Sequence, residues 1–323
     1  MKCICCGADV QSAPFCGMCG TKQECTTLNV LHSDWKKVHD RRMKSKSGIV
    51  GYDNAWRYLS VYGERAVQDL TLEDYQAVLD TIADKSYSLQ QKLQQLINQL
   101  CLFARVRKIN VANFAPFLIL DGYRGKSREI FSDAEISRLF LYAKSGGKYM
   151  DAAQLVLILI FTGLRPEELF SVKKDQVEFK EHYFKTDGSK TVAGMKRLLP
   201  ITPIVAPFFT YQYMRHQKSE LLICNTSGGR MDLHNWRQRQ FYPLMRELEI
   251  CMPDNPHRLS PYSARHTFAS LSNRAGVNKD IITKLIGHTK FDFTEKIYVH
   301  ETALEFCTEM DKVTRLANEI LAS

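Results

Sequence analysis

Apolar positions recur with a helical period along most of this chain. From Ser88 onward, Leu89, Leu93, Leu96, Leu100 and Phe103 step by three and four, which sets them on one face of a helix. Thr71 with Asp74 three residues later opens TLEDYQAVLDTIA as a capping box, and Ser132 with Glu135 opens another helix the same way. Leu155 to Phe161 is unbroken apolar sequence, which predicts a buried element that Thr162-Gly163 ends. Pro166 suits the first turn of the next helix, with Glu167 and Glu168 near its positive end. That proline steers Arg165 away from helical angles and leaves it at a junction. Asp187-Gly188 and Ala193-Gly194 punctuate extended segments and put Lys190 near a hairpin tip. Arg265 opens a helix that closes near Gly276; Asn278 caps the next, and Gly287 ends it with His288 at the exit. Tyr298 falls on a short helical stretch. Beyond it Phe306, Met310, Val313, Ala317 and Ile320 form one apolar helical stripe.

The pattern describes a multidomain chain, mainly α with a small β component. Residues 1–25 carry two CxxC knuckles, Cys3 with Cys6 and Cys16 with Cys19, each followed by a glycine. Four thiolates on two turns can close a tetrahedral, structural zinc site, and the metal would supply folding energy to a segment with no core of its own. Cys5 is a rival ligand, and Cys25 lies outside the set. Residues 26–48 are polar and basic and read as a linker or a solvated face. Residues 29–120 make a helical domain with a basic edge at RVRK. Residues 121–130, DGYRGKSREI, are a hinge by composition, and 131–323 form the last domain.

Composition narrows the partner. The chain has 323 residues, with 44 Lys and Arg against 35 acids, a net charge of +9 that suits a polyanion, most simply nucleic acid. No apolar run reaches the roughly 18 residues of a membrane span. The N-terminus lacks a signal-peptide core, so a cytoplasmic location is expected. Six of the ten cysteines crowd the first 25 residues; Cys101, Cys224, Cys251 and Cys307 read as buried small hydrophobes.

Taken singly, each polar residue has an ordinary explanation. Arg165 suits a salt bridge to Glu168, Lys190 an exposed tip, His288 a helix end, Tyr298 a packing position. Together, FTGLRPEEL, SKTxAGxxRLLPI, SPYSARHTFA, GVNKDIITKLIGH and the IYVH tyrosine resemble the tyrosine recombinase/phage integrase family over 131–300. The resemblance implies a mixed α+β catalytic domain behind a helical, SAM-like core-binding domain, with the zinc ribbon as an addition. It implies that Arg165 and Arg265 clamp a scissile phosphate, that Tyr298 attacks it to leave a 3′-phosphotyrosyl link, that Lys190 protonates the leaving 5′ oxygen, and that His288 bonds a non-bridging oxygen. Glu168 would brace the clamp. Catalysis would use no cofactor. Tyr262 stands where the family usually has histidine, three residues before the second arginine, and His257 is wrongly spaced to replace it. Lys190, Arg197, Arg105, Arg107 and Lys108 are candidate DNA contacts.

The implied partners are double-stranded DNA recombination sites, further copies of the chain, and accessory DNA-bending or directionality factors. The chain would be a monomer in solution, its last helix packed on its own domain, and a tetramer on paired sites. Integration or excision of a phage or other mobile element is the leading function. The rivals are an Xer-like chromosome-dimer recombinase, a cleavage-dead DNA-binding module and a type IB topoisomerase-like enzyme.

Overall fold

Helices dominate both halves of the chain, and each half has its own apolar core. A computed structural model of the full chain describes residues 7–9, 17–20, 26–43, 46–123, 129–187, 197–215, 217–251, 254–256, 258–287 and 298–322. It divides into two compact units, Met1–Lys126 and Ser127–Ser323.

The described residues of the first unit form the α-helices α1 (Leu28–Arg42), α2 (Lys46–Leu59), α3 (Leu72–Asp80) and α4 (Tyr87–Val106). The polar 26–48 stretch is therefore no linker for most of its length. Thr27 caps α1, and Leu28, Leu31, His32 and Trp35 line one buried face. The sequence hides this because few apolar residues are involved and one buried position is a histidine. His32 is stacked on Trp56 at 3.7 Å between ring centroids. The capping box at Thr71 and Asp74 starts α3. The helix α4 buries Leu93, Leu96 and Leu100 of the predicted stripe, while Leu89 and Phe103 pack at its margin. Gly122 packs against the backbone of Tyr87, and Tyr123 exchanges hydrogen bonds with Lys85 and Tyr87. Residues 121–123 thus belong to this unit.

In the second unit, Arg258 pairs with Glu129 at 2.8 Å, and the Phe131 N–H donates to the Thr267 hydroxyl at 2.9 Å. Of the predicted hinge, residues 124–128 lie outside the described residues. The Ser132–Glu135 capping box starts α5 (Asp133–Tyr142). Helix α6 (Met150–Thr162) is the centre of the core, with every residue from Ala152 to Thr162 buried. An apolar run without a polar face must be covered on all sides. It is wrapped by α5, α8 (Ala206–Arg215) and α11 (Pro261–Arg274). A short helix α7 (Pro166–Leu169) follows. Next comes an antiparallel sheet of β1 (Val177–Glu178), β2 (Tyr183–Thr186) and β3 (Arg197–Pro200), in which Thr186 pairs with Arg197. Between α8 and α11 lie α9 (Leu233–Trp236), a π-helical turn (Arg237–Phe241) and α10 (Tyr242–Glu247). Helices α12 (Lys279–Ile286) and α13 (Tyr298–Ala322) complete the unit and both pack on β3.

Two sequence expectations change here. Arg265 sits in the second turn of α11, because Pro261 already occupies the first helical position. Tyr298 does not lie on a separate short helix; it begins the 25-residue α13. The stripe of Phe306, Met310, Val313, Ala317 and Ile320 is buried in this unit's own core.

Candidate active site

The site grows from the end of α6. Gly163 closes that helix in the left-handed conformation, with φ +67°. Arg165 is extended (φ −73°, ψ 143°), as a residue before proline should be, and Pro166 starts α7. Glu168 turns back on the junction. Its Oε2 accepts from the Arg165 N–H at 3.0 Å, and its Oε1 accepts from Arg165 Nη1 at 2.6 Å. The ordinary explanation for Arg165, a bridge to Glu168, is thus correct. The pair fixes the Arg165 guanidinium at the junction.

Glu168 is almost fully buried, and a second arginine shares it. Arg197, the first residue of β3, donates through Nη2 to Glu168 Oε2 at 2.5 Å. A third arginine stands beside the pair. Arg265 donates through Nη1 to the carbonyl of Gly163 at 2.8 Å and through Nη2 to the carbonyl of Ile286. It therefore ties the end of α6 to the end of α12. Both carbonyls belong to helix C-termini, where partial negative charge favours a cation.

Three guanidiniums around one carboxylate leave the cluster short of negative charge. Burial, and then the positive charges of Arg165 and Arg197, push Arg265 down to about 10, well below the ordinary arginine value. Burial likewise lowers Arg197, against the pull of Glu168. Arg165 and Arg265 both keep partial exposure. Their planar forks suit the oxygens of a phosphodiester, and an anion there would relieve the repulsion.

The remaining predicted residues fall as follows. Tyr262, in the first turn of α11, is half-buried and lines a recess of about 310 Å³ with Arg237, Arg258 and Ser260. It is close enough to Arg265 for the two to interact. Lys190 and His288 lie outside the described residues. The Tyr298 backbone begins α13, and its side chain is not described. Arg105, Arg107 and Lys108 are exposed at the end of α4, where Arg107 pairs with Asp34 at 2.5 Å. Cys3, Cys6 and Cys16 lie outside the described residues, and Cys19 is exposed. Cys101, Cys224 and Cys251 are buried, while Cys307 is half-buried.

Arg197 requires correction. At 2% exposure it cannot be a surface contact for DNA. Its charge is held inside by Glu168, a residue too far away in sequence for local spacing to reveal. The available signal was its place at the head of RLLPI, an apolar run where a lone charge needs a buried partner. Sequence reasoning also missed a recess of about 700 Å³ lined by Glu167, Arg230, His234 and Arg237, beside the Arg165 junction. Arg230 donates there to the Glu167 carbonyl at 2.8 Å. No motif marks that segment.

A family model described as the phage integrase family matches residues 129–305. The chain belongs to that family. Among curated integrase-family relatives, tyrosine recombinase XerD of Haemophilus ducreyi is 25% identical over 248 residues, covering 73% of this chain and 80% of that protein. Tyrosine recombinase XerA of Pyrococcus furiosus is 27% identical over 171 residues, 51% of this chain; the chain spans only 56% of that relative. The solved structure of the Tn1549 transposon integrase in complex with transposon right end DNA superposes with a TM-score of 0.68 at 17% identity, covering 92% of this chain and all of that one. A lambda integrase tetramer bound to a Holliday junction superposes with a TM-score of 0.67 at 14% identity, over 84% and 80% of the two chains. The fold is thus integrase-like, mostly helical with a small sheet. As a tyrosine recombinase, this integrase is a DNA strand transferase of the site-specific recombination class.

Proposed function

We propose that the protein recombines specific duplex DNA sites through a covalent protein–DNA intermediate, for the integration or excision of a mobile element. The observation that carries this is the mounting of Arg165 and Arg265. Each guanidinium is half-buried and held by a fixed acceptor, and the cluster has excess positive charge. Such a clamp takes a phosphodiester and favours the additional negative charge of its transition state.

Tyr298 is the nucleophile. Its Oη forms a bond to phosphorus as the bond from phosphorus to the 5′ oxygen breaks. The tyrosine, with an ordinary pKa of about 10, gives up its proton during the attack. Lys190 supplies a proton to the departing 5′ oxygen, and His288 donates to a non-bridging oxygen. A 5′-hydroxyl from another strand reverses the step, so one phosphodiester replaces another without external energy. Tyr262 supports Arg265 where the family usually has histidine. Arg105, Arg107 and Lys108 offer backbone contacts from the first unit.

The N-terminal cysteines would hold a structural zinc ion. Gly7 and Gly20, which directly follow Cys6 and Cys19, both adopt positive φ (+72° and +67°) with open space around them. A backbone turn of this kind after the second cysteine suits two thiolate knuckles. In that ribbon Cys3, Cys6, Cys16 and Cys19 are the ligands. The working assembly is a tetramer on paired DNA sites, formed from monomers and served by accessory factors, in the cytoplasm and on the nucleoid. No helix among the described residues is long and apolar enough to cross a membrane, which is compatible with that location. Xer-type chromosome-dimer resolution is the second reading, favoured by the names of the curated relatives.

A test uses nicked duplexes that lose the 5′-hydroxyl fragment after cleavage. DNA flanking the gene's own element is offered against a chromosomal terminus sequence. Covalent adduct on the element's ends supports the mobile-element reading. Adduct on the terminus sequence alone supports the second, and tight binding without adduct supports a cleavage-dead module.

A further inference from the structure

Arg197 has no assigned part in the chemistry, yet it is buried against two parts of the site's scaffolding, Glu168 and Gly287. Its side chain is 2% exposed, and its Nη2 donates to Glu168 Oε2, the oxygen that also accepts the Arg165 N–H, while Oε1 accepts from the Arg165 guanidinium. Gly287 lies directly against the guanidinium. A Cβ there would stand 2.3 Å from Arg197 Nη1 and 3.0 Å from Cζ. Gly287 also has φ +65°, so the close approach and the backbone both call for glycine. The next residue in the chain is His288.

A further connection runs through β3. The strand that Arg197 opens is packed by α12 and by α13, the helix that starts at Tyr298. Arg197 thus sits on a strand that supports both helices.

Packing alone does not explain an arginine here. Its Nε and Nη1 have no hydrogen-bond partner among the described residues. Burying a cation is costly even beside a carboxylate, and an apolar side chain would fill a core at lower cost. What an apolar side chain cannot do is donate a hydrogen bond to Glu168.

We propose that Arg197 is a positioning residue for strand cleavage, acting through Glu168 on Arg165 and through Gly287 on the end of α12, where the Ile286 carbonyl holds Arg265. The proposal rests on the strand-transfer reading given above. It places no Arg197 atom on DNA.

The test uses the full chain with Arg197→Met, Arg197→Lys and Gly287→Ala. Three quantities are measured: the single-turnover rate of adduct formation on nicked DNA, the DNA dissociation constant, and the thermal unfolding midpoint. Arg197→Met should cleave roughly 10²-fold more slowly, the scale of a clamp misplaced by about an ångström, while DNA affinity stays close to wild type. Arg197→Lys should recover part of the rate. Gly287→Ala should slow cleavage with Arg197 still present. Cleavage by Arg197→Met at the wild-type rate would overturn the proposal. So would parallel loss of rate, affinity and unfolding midpoint in both Arg197 variants, which would make the residue a folding element only. If the wild-type chain itself forms no adduct, the strand-transfer reading fails separately. The Nε resonance of Arg165 in the DNA-free protein then decides the placement: a shift in Arg197→Met supports it, and an unmoved resonance overturns it.

Discussion

Gly163 stands against the ring of Phe268 with no room for a side chain: a Cβ would lie 2.5 Å from Phe268 Cδ1. The same glycine has φ +67°, and its carbonyl accepts the hydrogen bond from Arg265 Nη1. One residue thus ends α6, seats α11 and anchors half of the arginine clamp. Gly163→Ala should destabilise the second unit by about 1–3 kcal/mol, the usual scale of overpacking, and lower cleavage beyond what lost folded protein explains. Urea unfolding together with single-turnover cleavage checks this. An alanine variant with wild-type stability and rate would show that the contact yields freely.

Arg265 makes the free clamp sensitive to anions. Its folded value of about 10 lies below its ordinary one. Below pH 10 both folded and unfolded forms carry the proton, so the burial penalty applies in full. Between about 10 and the ordinary arginine value the unfolded form binds more protons, so this group's contribution to stability rises with pH. An anion in the clamp offsets the penalty at neutral pH. Sulfate should therefore raise the unfolding midpoint of the wild type more than that of Arg265→Gln, and the difference should shrink above pH 10. Equal sulfate responses at pH 7 would contradict an anion site at Arg265.

The last helix packs as its apolar stripe predicts, on its own unit. Ala303, Phe306, Met310, Val313, Ala317 and Ile320 are all buried within the second unit. Glu309 accepts from the Asn278 N–H at 2.9 Å and so fixes the start of α12. Ending the chain after residue 302 should lower the unfolding midpoint and weaken DNA binding along with cleavage. A shortened chain that melts and binds as the full chain does would place the helix's role in contacts between subunits.

Much of this architecture is legible in the chain because it rests on local chemistry. The boxes at Thr71–Asp74 and Ser132–Glu135, the glycine ends at Gly163 and Gly287, and the Arg165-Pro166 junction each follow from residues within a few positions. What was not legible depends on distant partners. Helix α1 is stabilised by a stack of His32 on Trp56 that no periodicity shows. Arg197 reads as a surface cation until Glu168 is brought to it. The clamp itself is half local, Arg165 with Glu168, and half tertiary, since Arg265 reaches Gly163 only when α11 packs on α6.

The zinc assignment makes a simple demand. Protein purified without chelators should contain one zinc per chain. Ser replacements at Cys3, Cys6, Cys16 or Cys19 should release it while the second unit's unfolding midpoint stays unchanged. Zinc-free protein, or full occupancy after two such replacements, would remove the ribbon.

The central claim is that Tyr298 attacks DNA from a site built on the arginine cluster. The direct measurement is proteolysis of the covalent adduct followed by mass spectrometry of the DNA-linked peptide. The account predicts a nucleotide joined to the peptide containing Tyr298, and no adduct from Tyr298→Phe although that variant binds DNA as the wild type does. A nucleotide on any other residue, or an adduct formed by Tyr298→Phe, would contradict it.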